Sequence, residues 1–302
     1  MKAMRVAIMG FGKLGHACAQ AILPEEELVL VGIVRRPETA SEPLPPDLRA
    51  VRSVTHIREL KEVDAALVCL PREFVLPAAH ELLQQGIQVV ECARFESGDL
   101  LIHKNEIGHL ASRFEIPAIV GAGWDPGAMS LLRGLFALLT PKGHTETSHR
   151  TGASLHHATA ALSVRGVRDA LCTEVYTPGR ERQRYVYVEL DRGANFAEVE
   201  AAIRSDPLFL NEETLVFAVD RISALEDEGH GVLMKRYGTA GTTAHQLLML
   251  EARFSEWALA AQCMVAAARA LPSCKGRVYS LYDLPPGALW GHLRAQAERE
   301  WL

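Results

Sequence analysis

Three glycines stand at a spacing that lets a main chain bend and admit a large anion: Gly10-Phe11-Gly12-Lys13-Leu14-Gly15. In such a turn Gly10 permits the bend, Gly12 leaves room for a pyrophosphate beside the backbone, and Gly15 lets a helix close on a strand. Phe11, Lys13 and Leu14 fall between them and belong to the expected contact set. The next signal is Gly32-Ile33-Val34-Arg35-Arg36. A site for NAD would present Asp or Glu here to the ribose hydroxyls, whereas two guanidinium groups suit a ribose 2′-phosphate through paired, charge-assisted hydrogen bonds. NADP(H) is therefore the expected cofactor, with Arg35 and Arg36 on its phosphate. Cys69, Leu70 and Pro71 close a third apolar run and complete the expected cofactor contacts.

Those residues need strands and helices to hold them. The apolar run 5–9 predicts a buried parallel strand, and 13–22 shows helical spacing through Leu14, Ala17, Cys18 and Ile22. The run 28–34 closes a strand-helix-strand unit, and 37–46 is a proline-rich loop. Further on, 64–70, 89–90 and 117–120 read as strands, with helices over 75–83 and 100–114. Pro126 is placed in the first turn of a helix that ends near Pro141. This alternation predicts an α/β fold, a doubly wound parallel sheet of the Rossmann type. After residue 145 the strands 185–190 and 215–219 and a helix over 196–203 predict a second domain of α+β class. Leu247-Leu248-Met249-Leu250 is continuously apolar and reads as buried core, and 258–271 reads as a helix packing back on the first domain. The expected division is 1–122, 123–257 and 258–302.

Composition sets limits on function. With 302 residues, 48% of them hydrophobic and 23% charged, the chain is long enough for two domain cores. A net charge of -5 argues against nucleic acid, because no cationic excess exists to neutralise a phosphate backbone. No apolar run reaches membrane-spanning length and no export signal is evident at the start, so a cytoplasmic protein with a small-molecule partner is expected. Six scattered cysteines without a CxxC pair read as reduced thiols. His149, His156, His157 and Cys172 match no common ligand spacing, so no metal is expected.

Several stretches together resemble the meso-diaminopimelate dehydrogenase family: residues 6–15, 32–36, 123–127, 166–170, 184–190, 195–200, 229–232 and 258–267. The Trp124-Asp125-Pro126-Gly127 stretch, followed by Gly166-Val167-Arg168-Asp169-Ala170, carries the resemblance beyond the glycine turn. The resemblance implies a homodimer whose 123–257 domain binds substrate and dimerises. It also implies reversible hydride transfer from a D-configured amino-acid carbon to the nicotinamide, the imine then giving a 2-oxo acid and ammonia. By the same resemblance Trp124, Asp125 and Gly127 contact substrate, Asp125 holds an ammonium group, and Arg184 holds a carboxylate.

The chain departs from that pattern in its substrate half. Arg94 stands where the family has an aspartate, Leu155 and His156 replace a glycine-rich pair, and Glu174 replaces a threonine. One reading makes Arg94, His156 and Glu174 a new polar constellation, His156 shuttling a proton near neutral pH. In the other, Arg94 and Glu174 simply pair. Three functions follow from the two readings: an amino-acid dehydrogenase, an imine or oxo-acid reductase with a different carboxylated substrate, and a catalytically silent NADP(H)-binding sensor or partner-binding protein.

Overall fold

The computed structural model describes residues 3–95, 98–151, 155–175, 183–210, 213–222 and 230–301. It divides into two compact units, one formed by Met1–Leu135 with Trp257–Leu302 and one by Phe136–Glu256.

The first unit is built on β1 (Met4–Met9), β2 (Leu28–Val34), β3 (Ser53–Val54), β4 (Ala65–Val68), β5 (Gln88–Glu91), β6 (Ala118–Ile119) and β13 (Val278–Tyr279). All neighbours pair in parallel, in the order β13-β6-β5-β4-β1-β2-β3. Parallel strands are covered on both faces, and the side chains of β1 show how. Val6 and Ile8 enter one core with Cys18 and Ile22 of α1 (Lys13–Ile22) and with Ala261, Met264 and Val265 of the helix Glu256–Ala270. Ala7 and Met9 enter the other with Leu82 and Leu83 of α3 (Arg72–Gln84) and Ile107 of α4 (Asp99–Phe114). One strand thus feeds two cores by its two-residue period. The doubly wound Rossmann sheet expected from the sequence is present.

Local differences have local causes. The proline-rich loop contains the short helix α2 (Pro37–Ala40), opened by a proline at its first position. Pro126 does not start the next helix: α5 (Ala128–Leu139) begins two residues later, and the Asp125-Pro126 peptide is cis. The segment ahead of α5 is instead a tight turn, closed by a bridge between Gly123 and Gly127 and by a hydrogen bond of 3.0 Å from the Ala128 N–H to the Gly123 carbonyl. Residues 123–135, assigned above to the second domain, group with the first unit. Met129 is buried, Leu131 packs on the core with Val6 and Ile8, and the Tyr282 hydroxyl donates to the Ser130 carbonyl.

The second unit contains β7 (Lys142–Thr151), α6 (Leu155–Leu162), β8 (Val167–Val175), β9 (Gln183–Leu190), α7 (Phe196–Ser205), β10 (Glu213–Ala218), β11 (His230–Ala240) and β12 (Thr243–Arg253). One sheet, β10-β9-β8, is mixed, and the other, β12-β11-β7, is antiparallel. Cys172, Val186, Val188, Ile203 and Phe209 form the core of the mixed sheet and its helices. The apolar run Leu247-Leu248-Met249-Leu250 is not core. It lies within β12, where alternation turns Leu247 and Met249 outward, 53% and 60% exposed. No helix among the described residues is long and apolar enough to cross a membrane.

Candidate active site

The glycine turn forms where β1 ends and α1 begins. Gly10 has φ +94°, a value that favours glycine, and its N–H donates to the Val34 carbonyl at 2.9 Å. A Cβ on Gly10 would lie 2.6 Å from the Cys69 carbonyl oxygen, and one on Gly15 would lie 2.1 Å from the Gly10 carbonyl oxygen. Packing therefore accounts for both. Gly12 is different: its φ of -82° suits any residue, and a Cβ there would meet nothing within 4 Å. No side chain caps α1 and no acidic residue stands in its first turn, so the first backbone N–H groups and the helix dipole face that open space. The chemistry of this cradle suits a pyrophosphate, and the described residues place no atom within 4 Å of a Cβ at Gly12. Lys13 is exposed at the rim, while Phe11 and Leu14 pack against the core below.

The end of β4 meets the same turn. Cys69 donates its N–H to the Met9 carbonyl at 2.8 Å, Leu70 approaches Gly10, and Pro71 caps α3. The Cys69 thiol hydrogen-bonds to Cys18, and this bond together with desolvation pushes its pKa well up, so it stays neutral beside the turn.

The two arginines after β2 behave differently. Arg35 is 9% exposed: Nη1 donates to the Glu42 carbonyl at 2.9 Å, Nη2 to Glu42 Oε2 at 3.1 Å, and its guanidinium carbon lies 5.5 Å from the centre of the Phe11 ring. Arg36 is exposed, and its guanidinium has no hydrogen-bond or ion-pair partner among the described residues.

At the carboxyl ends of β5 and β6 two loops carry the remaining candidates of this unit. Glu91, fully buried, ties them together: Oε2 accepts from the Ala93 N–H at 2.6 Å and Oε1 from the Gly121 N–H at 2.8 Å. Its carbonyl accepts from Ala122, and buried His103 approaches Oε1 at 3.6 Å. Nothing in the residue order marks Glu91 for this work, and it was not among the candidates. Arg94 follows on an exposed part of the first loop. The second loop carries Trp124 and Asp125, both half-buried, and Gly127, whose φ of +133° and closeness to the Gly123 carbonyl exclude a side chain. Both Asp125 oxygens accept from Arg133 of α5 at 2.8 Å, a pairing that holds the arginine pKa above its ordinary value.

Arg184, Glu174 and His156 belong to the second unit. Arg184 of β9 is 3% exposed, on the face that also carries Val186 and Val188. Nearby Cys172 has its thiol pKa pushed up to about 12 by burial, with Arg184 pulling the other way. The backbone of Glu174 lies opposite Arg184 in the β8-β9 register, and that of His156 lies in α6. The side chains of both lie outside the described residues, and so do the polar constellation and the Arg94 to Glu174 pairing that depend on them.

Residues 4–91 match the family described as "Oxidoreductase family, NAD-binding Rossmann fold". Over 285 residues, 94% of each chain, the sequence is 36% identical to a meso-diaminopimelate D-dehydrogenase of Bacteroides fragilis. Among solved structures, a C. glutamicum DAP dehydrogenase in complex with DAP is 21% identical with a TM-score of 0.65, covering 100% of both chains. An engineered D-amino acid dehydrogenase bound to NADP+ gives the same identity, TM-score and coverage. At that identity the two structures speak to the fold alone.

Proposed function

The chain belongs to the meso-diaminopimelate D-dehydrogenase family, an oxidoreductase of that type, and from this premise we propose that it oxidises a carboxylated D-amino centre with NADP+. Meso-diaminopimelate, the substrate named for its relative, is the first candidate. The observation that carries the reading is that the Gly12 cradle and the Trp124-Asp125 turn open from the carboxyl edge of one parallel sheet. Open α/β sheets bind cofactor and substrate at that edge.

When bound, the nicotinamide accepts or returns a hydride at the substrate carbon. The protein's part is to bind, orient and exclude water. Gly10, Gly12 and Gly15, with Phe11, Lys13 and Leu14, shape the pyrophosphate cradle, and Cys69, Leu70 and Pro71 wall it. The exposed guanidinium of Arg36, without a partner among the described residues, supports NADP(H) over NAD(H), with Arg35 beside it. Asp125, its plane set by Arg133, accepts from the substrate amine, with Trp124 and Gly127 shaping the turn. Arg184 takes a carboxylate, a role its planar donor set suits. The roles the sequence suggests for His156 and Glu174, moving a proton and binding substrate, complete the proposal.

Exposed Arg94 favours a second reading, an imine or oxo-acid reductase whose substrate places an anion at this loop. The working form is a cytoplasmic homodimer. Tyr237, Leu247 and Met249 support the dimer: they share one face of the β11-β12 pair and are 37%, 53% and 60% exposed.

Turnover with purified protein tests the reading. NADP+ with meso-diaminopimelate and other D-amino acids, and NADPH with matched 2-oxo acids with and without ammonia, are followed at the NADPH absorbance band. Ammonia-dependent NADPH oxidation is expected. Ammonia-independent oxidation would favour the reductase, and tight NADPH binding without turnover would favour the silent sensor.

A further inference from the structure

Resting on the NADP(H) reading above, we propose that Glu42 is a specificity-determining residue, which tunes the preference for 2′-phosphorylated dinucleotides by clasping Arg35. Arg35 is held on two sides: Glu42 supplies both its carbonyl and its carboxylate, at 2.9 and 3.1 Å, and the Phe11 ring lies 5.5 Å from the guanidinium carbon. The arginine side chain is 9% exposed and that of Glu42 61%, so the carboxylate occupies the solvent side of the pair. An internal anion already sits on the guanidinium that the sequence assigns to the cofactor phosphate. Arg36, exposed and without a partner among the described residues, carries no such anion.

The two arginines are therefore unequal. Arg36 offers its N–H groups to an arriving phosphate directly. Arg35 joins only if the carboxylate gives way, because a phosphate beside an ionised carboxylate is repelled. A dinucleotide without the 2′-phosphate leaves the clasp undisturbed. Glu42 thus weakens NADP(H) and leaves NAD(H) untouched, which narrows a preference that Arg36 creates. The Glu42 carbonyl keeps its own bond to Nη1 in Glu42→Gln, so Arg35 stays anchored when the charge is removed.

Dissociation constants of NADPH and NADH, measured by calorimetry on the full chain, test this without reference to turnover. For Glu42→Gln, NADPH binding tightens by about 3- to 5-fold, the scale of an exposed ion pair, while NADH stays within about twofold. In an Arg35→Met background the same substitution has no effect, since the coupling runs through Arg35. Equal changes for both cofactors, no change, or tightening that persists without Arg35 would overturn the proposal. Arg36→Met separates the two claims. If it leaves the NADPH to NADH ratio unmoved, the NADP(H) reading fails; if it collapses the ratio while Glu42→Gln does not shift it, only the role of Glu42 fails.

Discussion

Asp125 and Arg133 face one another across the start of α5, each carboxylate oxygen accepting one guanidinium hydrogen at 2.8 Å. The pair links the turn to the helix that follows, so the plane of Asp125 is set by a residue with no other assigned role. A carboxylate whose plane is fixed in this way is what a group that orients an amine requires.

Arg133→Met should show this directly. Loss of both bonds costs about 1–3 kcal/mol of stability, because the side chains are 30% and 22% exposed and a charge loses its partner. The kcat/KM falls further, by about 10- to 100-fold, because Asp125 is no longer oriented. Arg133→Lys restores the charge but not the fork, and should recover stability better than rate. Thermal midpoints and steady-state kinetics on the three proteins check both effects.

The glycines separate folding from cofactor binding. Gly15→Ala forces a Cβ to 2.1 Å from the Gly10 carbonyl oxygen, so the strand and helix must part. A loss of about 1–3 kcal/mol or more is expected, with cofactor binding lost as a consequence. Gly12→Ala places its methyl in open space, so stability changes by at most about 1 kcal/mol at the N-cap. NADPH binding nonetheless weakens by about tenfold or more, about 1.4 kcal/mol. Calorimetric titration beside a melting curve for each variant checks the contrast.

Much of the first unit was legible in the sequence. The bounds of α1 and β2 could be read off because glycines and an apolar period both mark them. β3 and β13 span two residues each, too short for any period to register. Leu247 to Leu250 misled because a continuous apolar run conceals alternation, and only the pairing of β12 with β11 turns every second side chain outward. At the site, the glycine turn and Arg36 were visible as local patterns. Glu91 and Arg133 were not: Glu91 acts on N–H groups 2 and 30 residues away, and Arg133 lies eight residues beyond Asp125. Glu42 was hidden in a loop with no period at all.

Stability in acid should depend on Asp283. Burial pushes its pKa up, but hydrogen bonds from the Lys104 ammonium and from Ser280 outweigh that and hold it at about 2, below its ordinary 3.8. A carboxyl depressed on folding contributes stability that is present above its unfolded value and lost as pH falls through its folded value. The wild-type melting temperature should therefore fall between about pH 4 and pH 2 through this group. In Asp283→Asn the midpoint is lower at pH 7 and declines less steeply over that window. Melting curves across the acid range decide the matter.

The outward face of β12 bears on assembly. Leu247→Glu with Met249→Glu places two charges on the apolar stripe while leaving the buried Val232 and Met234 of β11 alone. Light scattering coupled to size exclusion should report twice the chain mass for the wild type and a single chain for the double variant, with circular dichroism unchanged. A dimer that survives both charges would place the interface elsewhere.

The most direct test follows the bond that breaks. Meso-diaminopimelate carrying deuterium at its D-configured carbon is incubated with the enzyme and NADP+, and the NADPH formed is weighed by mass spectrometry. One deuterium per NADPH, with ammonia released in equal amount, is the predicted result. NADPH without the label, or no NADPH at all, would contradict hydride transfer from that carbon.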